Sequence, residues 1–168
     1  MKKQTRFLTH GALIAALYAA LTHLQNLLLP GSATWVVQFR VSEALCVLAL
    51  FTPAAIPGLS VGCLLFNLTF AHTLPLDFFI GTLATFLATG SMYLLRNVTQ
   101  KGYPLLAMTM PAVFNAVLVG WELSFYIGGG FLINFISVFV GEAAVLFALG
   151  TALFYTMKTQ NLDKRLFG

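Results

Sequence analysis

The sequence predicts an all-α integral membrane protein with six transmembrane helices and both termini in the cytoplasm. Three observations predict it. Of the 168 residues, 59% are hydrophobic and only 8% are charged, against about 25% charged in an ordinary soluble domain. The apolar residues come in runs of helix-spanning length broken by Pro, Gly and polar residues, not in the alternating ~10-residue segments of a membrane β-barrel. With six crossings, eight of the nine Lys and Arg residues fall on one face of the membrane, as cytoplasmic loops require. Five or seven crossings break that asymmetry.

The spans follow in order. The first covers 7–29 and ends at Pro30-Gly31; Lys2, Lys3 and Arg6 precede it. These flanks resemble a secretory leader, but the apolar run continues without a convincing cleavage site, so it reads as a span. The second, 38–51, is short and stops at Thr52-Pro53. The third, 57–72, opens on Pro57, whose missing N–H is not needed in a first turn. The fourth covers 76–95 and is followed by Arg96 and Lys101. The fifth, 105–127, ends in Gly128-Gly129-Gly130. The sixth, 132–157, is followed by Lys158, Lys164 and Arg165. The whole chain, 1–168, reads as one six-helix membrane domain.

Polar residues inside these spans carry the functional signal, because an ionisable group in a bilayer is costly unless it faces protein or a water-filled cavity. Arg40 and Glu43 are three apart, on one face of a helix. They read as an interfacial ion pair or as part of a ligand site. Glu43 and Glu122 each lie about 8 Å below the outer end of their spans, and Glu142 about 15 Å into the sixth. Asp77 opens the fourth span. Asn67, His72 and Asn134 also fall in the outer half, and Asn115 lies near the middle. Asn115 and Glu122, seven apart, share a helix face; Asn134 and Glu142 are about 80° apart on theirs. The pattern predicts a pocket open to the outside and closed below by an apolar floor. Trp121 and Tyr126, beside Glu122, are candidates to stack a planar ligand or to form an interfacial belt.

Other signals bound the reading. Cys46 and Cys63 sit inside spans without a CxxC or Cys/His grouping, which points to buried thiols rather than a zinc or disulfide framework. His10, His23 and His72 are scattered, and no metal or other cofactor is expected. The net charge of +4 is spread along cytoplasmic loops, so no nucleic-acid partner is expected. The chain has no GxxxxGK[ST] loop, HExxH or Ser/His/Asp constellation, so it is read as neither an enzyme nor a self-powered pump. The glycine triplet reads as a hinge in a lid between spans five and six. Ala12, Ala16 and Ala20 form one small-residue ladder on the first span, and Gly11, Ala15 and Ala19 another; such faces let a second helix approach closely.

Three stretches carry a resemblance. They are Gln38-Phe39-Arg40-Val41-Ser42-Glu43-Ala44-Leu45; Pro53-Ala54-Ala55-Ile56-Pro57-Gly58-Leu59, continuing through Gly62-Cys63-Leu64-Leu65 to Asn67; and Asp77-Phe78-Phe79-Ile80-Gly81-Thr82-Leu83-Ala84-Thr85. Their order and spacing resemble the QueT family, substrate-binding S-components of energy-coupling-factor (ECF) transporters associated with queuosine precursors. The resemblance extends along the chain to Gly141-Glu142. It implies an ECF S-component-like bundle in the cell membrane that binds a 7-deazaguanine such as preQ1 or queuine from outside. It also implies two kinds of partner: a transmembrane coupling subunit, docking on the Ala12/Ala16/Ala20 face, and two cytoplasmic ATPases. On that reading Glu142 and Glu122 anchor the ligand, Asn67 and Asn115 meet its remaining edge atoms, and Arg40/Glu43 form a wall or gate. The alternatives are an S-component for another vitamin or a solitary small-molecule transporter.

Overall fold

The computed structural model describes residues 2–30, 32, 39–69 and 76–167, and the longer secondary-structure elements among these are all helices. The first helix, α1, covers Lys2–Leu28. A 3₁₀ helix follows at Val41–Leu50, then α2 at Ala55–Thr69, α3 at Asp77–Leu95 and α4 at Leu105–Tyr126. Helix α5, Phe131–Val145, runs through a π-helical turn, Leu146–Gly150, into α6, Thr151–Thr159. A short helix, α7, covers Leu162–Phe167.

Four helical stretches are long and apolar enough to cross a membrane: α1, α3, α4 and the continuous Phe131–Thr159. The 3₁₀ helix and α2 are apolar but shorter. As an α-helix, the ten residues of Val41–Leu50 would rise about 15 Å; wound as 3₁₀ they rise about 20 Å. The second expected span is therefore a stretched, central element rather than a lipid-facing α-helix. Eight of its ten residues are buried. The expected start of that span at Gln38 and the expected end of the third at His72 lie outside the described residues.

The exterior is apolar. Leu13, Phe79, Leu94, Phe125, Leu132 and Ile133 are all more than half exposed, as expected where lipid is the solvent. Inward stripes keep helical spacing. In α1 the buried set is Ile14, Ala15, Tyr18, Thr22 and Gln25; in α3 it is Asp77, Gly81, Ala84, Thr85, Ala88, Thr89 and Met92. Helices α1 and α2 meet backbone to backbone. A Cβ on Gly58 would stand 2.7 Å from the Gly11 carbonyl oxygen, and one on Gly62 would stand 2.8 Å from that of Ala15. The Gly11/Ala15 ladder is thus matched with Gly58/Gly62, while Ala12, Ala16 and Ala20 remain on the exposed side of α1.

The bundle has two unlike ends. At one, Arg6 donates to the Leu166 carbonyl, His10 packs edge-on against Phe167, and Arg96 and Lys158 line one cavity of about 100 Å³. The basic residues flanking several helices therefore gather at this end. A large apolar core lies nearer to it, built from residues that include Val47, Leu59, Met92, Met108, Leu146 and Phe154. The polar residues of the spans collect toward the other end.

Gly128, Gly129 and Gly130 all have positive φ, near +80°, which only glycine adopts at little cost. They form the tight connection from α4 to α5. Asn134 reaches back across it, donating to the Gly128 carbonyl at 2.8 Å and to Ser124 Oγ at 3.0 Å. Those two hydrogen bonds stitch the connection, where the sequence alone suggested a lid hinge.

Candidate functional site

The 3₁₀ helix carries Glu43 into the middle of the bundle because its flanks are held by α1. Three residues of α1 in helical phase, Tyr18, Thr22 and Gln25, face it. Thr22 donates to Ser42 Oγ at 2.7 Å. Gln25 accepts from the Val41 N–H at 2.7 Å and donates to the Phe39 carbonyl. Tyr18, fully buried, donates its phenol proton to Glu43 Oε1 at 2.5 Å, and Cys46 Sγ donates to Glu43 Oε2 at 3.1 Å. Glu43 is therefore satisfied at both oxygens by neutral donors.

Arg40 precedes that helix with extended backbone (φ −97°, ψ 105°). It does not continue the helical face of Glu43; of the two readings the sequence offered, an ion pair or part of a ligand site, the direct pair gives way to separate partners. Arg40 Nη2 stands 3.5 Å from Asp77 Oδ2, with both side chains almost wholly buried. Its guanidinium also lies 5.9 Å from the centre of the Phe66 ring. This ion pair joins the start of the 3₁₀ helix to the start of α3. Asn67, at the end of α2, braces the same point by donating to the Asp77 carbonyl at 3.0 Å. Gly81, one turn further along α3, leaves the room: a Cβ there would stand 2.6 Å from Asn67 Nδ2 and 3.0 Å from Asp77 Oδ1.

Glu122 and Glu142 complete the cluster from α4 and α5. Both are essentially unexposed. Among the described residues, no donor is in hydrogen-bond geometry with any of their four carboxylate oxygens. Glu142 lies within electrostatic range of Glu43 and Arg40, with the Asn115 amide beside it. Glu122 lies within electrostatic range of Asp77 and Arg40. Asp77 Oδ1 and Asn67 Oδ1 are likewise buried without a donor. Among the described residues, four buried acids share the electrostatic surroundings of one buried base, and acceptors outnumber donors.

Of the residues singled out from sequence, Arg40, Glu43, Asn67, Asp77, Asn115, Glu122 and Glu142 come together here, all at most 4% exposed. Asn134 is buried too, but its amide is committed to the glycine turn. Trp121 and Tyr126 are not brought to the acids; they are 56% and 36% exposed. Trp121 is turned by one residue, about 100°, from Glu122, and Tyr126 is the last residue of α4, at the rim. His72 lies outside the described residues. Sequence reasoning passed over Tyr18 and Gly81. Tyr18 had a legible signal: it shares the 18/22/25 polar stripe of an otherwise Ala- and Leu-rich helix. Gly81 had none.

Buried polar and ionisable side chains gathered inside an all-helical shell whose outer surface is apolar define a class: a multi-helix membrane protein with a polar interior. The arrangement can engage a polar solute. The chain belongs to the QueT transporter family, whose sequence model matches residues 8–159. Membership makes it a membrane transport protein for a small molecule rather than an enzyme. No curated protein and no solved structure matched the chain.

Proposed function

We propose that the chain is the substrate-binding S-component of an ECF-type importer and captures a queuosine precursor, a 7-deazaguanine such as preQ1 or queuine, from outside the cell. On this reading residues 1–168 form one domain in the cell membrane with six crossings, the 3₁₀ helix and α2 serving as the two short ones. Both termini are cytoplasmic, and the end bearing Arg40 and Asp77 faces outward. The chain hands its substrate on through a transmembrane coupling subunit and two cytoplasmic ATPases, which supply the power its own sequence lacks. The coupling subunit docks on the Ala12/Ala16/Ala20 face. The clustering of Arg6, Arg96 and Lys158 at the end shared by the chain termini supports the orientation, since basic residues stay cytoplasmic.

One observation supports the substrate assignment: Glu122 and Glu142 are buried, and none of their four oxygens has a donor in hydrogen-bond geometry among the described residues. A buried unsatisfied carboxylate costs several kcal/mol, on the order of 3–5 when a partner is missing. A ligand rich in N–H groups offsets that cost on binding. A 7-deazaguanine presents a ring N–H and an adjacent exocyclic amine, which one carboxylate accepts together. Asn67 Oδ1 and Asp77 Oδ1 offer further acceptors at the same site, with Glu43 in its wall.

The test is a thermal-shift panel on the purified protein, deazapurines against vitamins. Stabilisation by a deazaguanine and by no vitamin is the expected result; stabilisation by a vitamin alone overturns the substrate. Co-purification with a coupling subunit and two ATPases is expected in the same membranes. Uptake by the chain in their absence would overturn the S-component assignment.

A further inference from the structure

Helices α1 and α2 run side by side in the same direction, Gly11 against Gly58 and Ala15 against Gly62. Side chains this short leave a groove of about 270 Å³ along the pair, with an apolar lining that includes Leu8, Gly11, Ala12, Ala15, Gly58 and Val61. Leu8 and Val61 are 68% and 46% exposed, so the groove opens onto the lipid-facing surface. Toward the start of α1 it continues into a hollow that shares Phe7 and Leu8 with it and adds Lys3 and Gln4. Lys2 and Arg6 line the next hollow around the helix. No Asp or Glu precedes Glu43 in the sequence, and among the described residues neither Lys2 nor Lys3 forms an ion pair. An apolar groove thus leads into a basic mouth that its surroundings do not neutralise.

The dimensions are those of one leaflet. Phe7 and Ala15 are eight residues apart, about 12 Å along α1, and Lys3 lies about 6 Å beyond Phe7. Half a bilayer holds about 15 Å of hydrocarbon. The groove therefore runs at acyl-chain depth and the lysines reach headgroup level, where their stems can lie on apolar surface while the ammonium groups stay in the polar layer. Anionic headgroups are drawn to bases at that level. An apolar helix from another subunit would fill the groove but leave Lys2 and Lys3 without a counter-charge. A phospholipid with net negative charge supplies both halves, a chain for the groove and a phosphate for the mouth.

We propose that the groove between α1 and α2 seats an acyl chain of an anionic phospholipid whose phosphate rests at Lys2 and Lys3. The site shares no residue with the buried acid cluster, so its test is independent of the substrate. Purified protein stripped of native lipid is mixed in detergent micelles with equal amounts of phosphatidylglycerol and phosphatidylcholine bearing the same chains, and the bound lipids are counted by native mass spectrometry. Wild type is expected to retain phosphatidylglycerol at least threefold over phosphatidylcholine. Lys2→Gln/Lys3→Gln is expected to bring that ratio close to one. Lys101→Gln/Lys164→Gln, which removes two exposed bases elsewhere, is expected to leave it unchanged. Val61→Trp, which fills the groove from α2, is expected to lower retention of both lipids at least threefold while the protein stays monodisperse on size exclusion. Where that variant does not stay monodisperse, Leu8→Trp fills the same groove from α1. Equal retention of the two lipids by wild type, or an equal loss of preference in the two double-lysine variants, overturns the site. Undiminished retention in the groove-filling variant overturns the acyl-chain seat and leaves the groove to a helix of a partner subunit.

Discussion

Arg40 illustrates how a single residue can be conspicuous in sequence and still have its partner hidden. Its nearest acid in sequence is Glu43, yet its guanidinium meets Asp77, 37 positions on, across 3.5 Å. Removing one member of a buried pair strands the other, at a cost of about 3–5 kcal/mol. Arg40→Met is therefore expected to lower the melting temperature of the detergent-solubilised protein markedly, and Arg40→Met/Asp77→Asn to recover most of the loss. A double variant no more stable than the single one would show that the pair is not what holds the start of α3. What the sequence made legible was the cost of charge in a bilayer, which singled out Arg40, Glu43, Asp77, Glu122 and Glu142. What it left dark was pairing, because contacts between distant helices depend on their rotation and tilt. For the same reason Trp121, adjacent to Glu122 in sequence, faces outward.

At the scale of elements, run length and helix punctuation were enough to place most helices to within a few residues. The 3₁₀ helix escaped, because hydrophobic content does not distinguish 3₁₀ from α winding over ten buried residues. Its hydrogen-bond ties to α1 through Thr22 and Gln25 decide where it sits. The α1–α2 contact depends on the absence of side chains. A Cβ on Gly62 would meet the Ala15 carbonyl oxygen and the Tyr18 Cβ, each at 2.8 Å, and neither can move aside cheaply. Gly62→Ala is expected to destabilise the fold by about 1–3 kcal/mol, the usual cost of overpacking, read as a lower thermal midpoint. Ala16→Leu, on the exposed side of α1, away from α2, is expected to leave that midpoint within error. Equal losses in the two variants would mean that α1 is packed alike on both sides.

The whole molecule is polarised, with basic flanks and chain ends together at one pole and buried acids toward the other. On the proposed orientation, single cysteines placed at Gln4 and Gln160 are protected in intact cells from a membrane-impermeant maleimide, and one at Ile127 is labelled. Ile127 is well exposed beside the glycine turn, and the native Cys46 and Cys63 are buried, so background labelling stays low. Labelling at Gln4 and Gln160 with protection at Ile127 would invert the topology and, with it, the side from which the substrate enters.

The doublets Gly11-Ala12, Ala15-Ala16 and Ala19-Ala20 give α1 two shaved sides, of which α2 occupies one. Alanine and glycine have no rotamers to freeze. A helix settling on the remaining side would lose almost no side-chain entropy from α1, and on leaving it would regain almost none. Such a contact draws its strength from close approach alone, so it can be made and broken repeatedly with little rearrangement: a surface suited to turnover rather than to permanence.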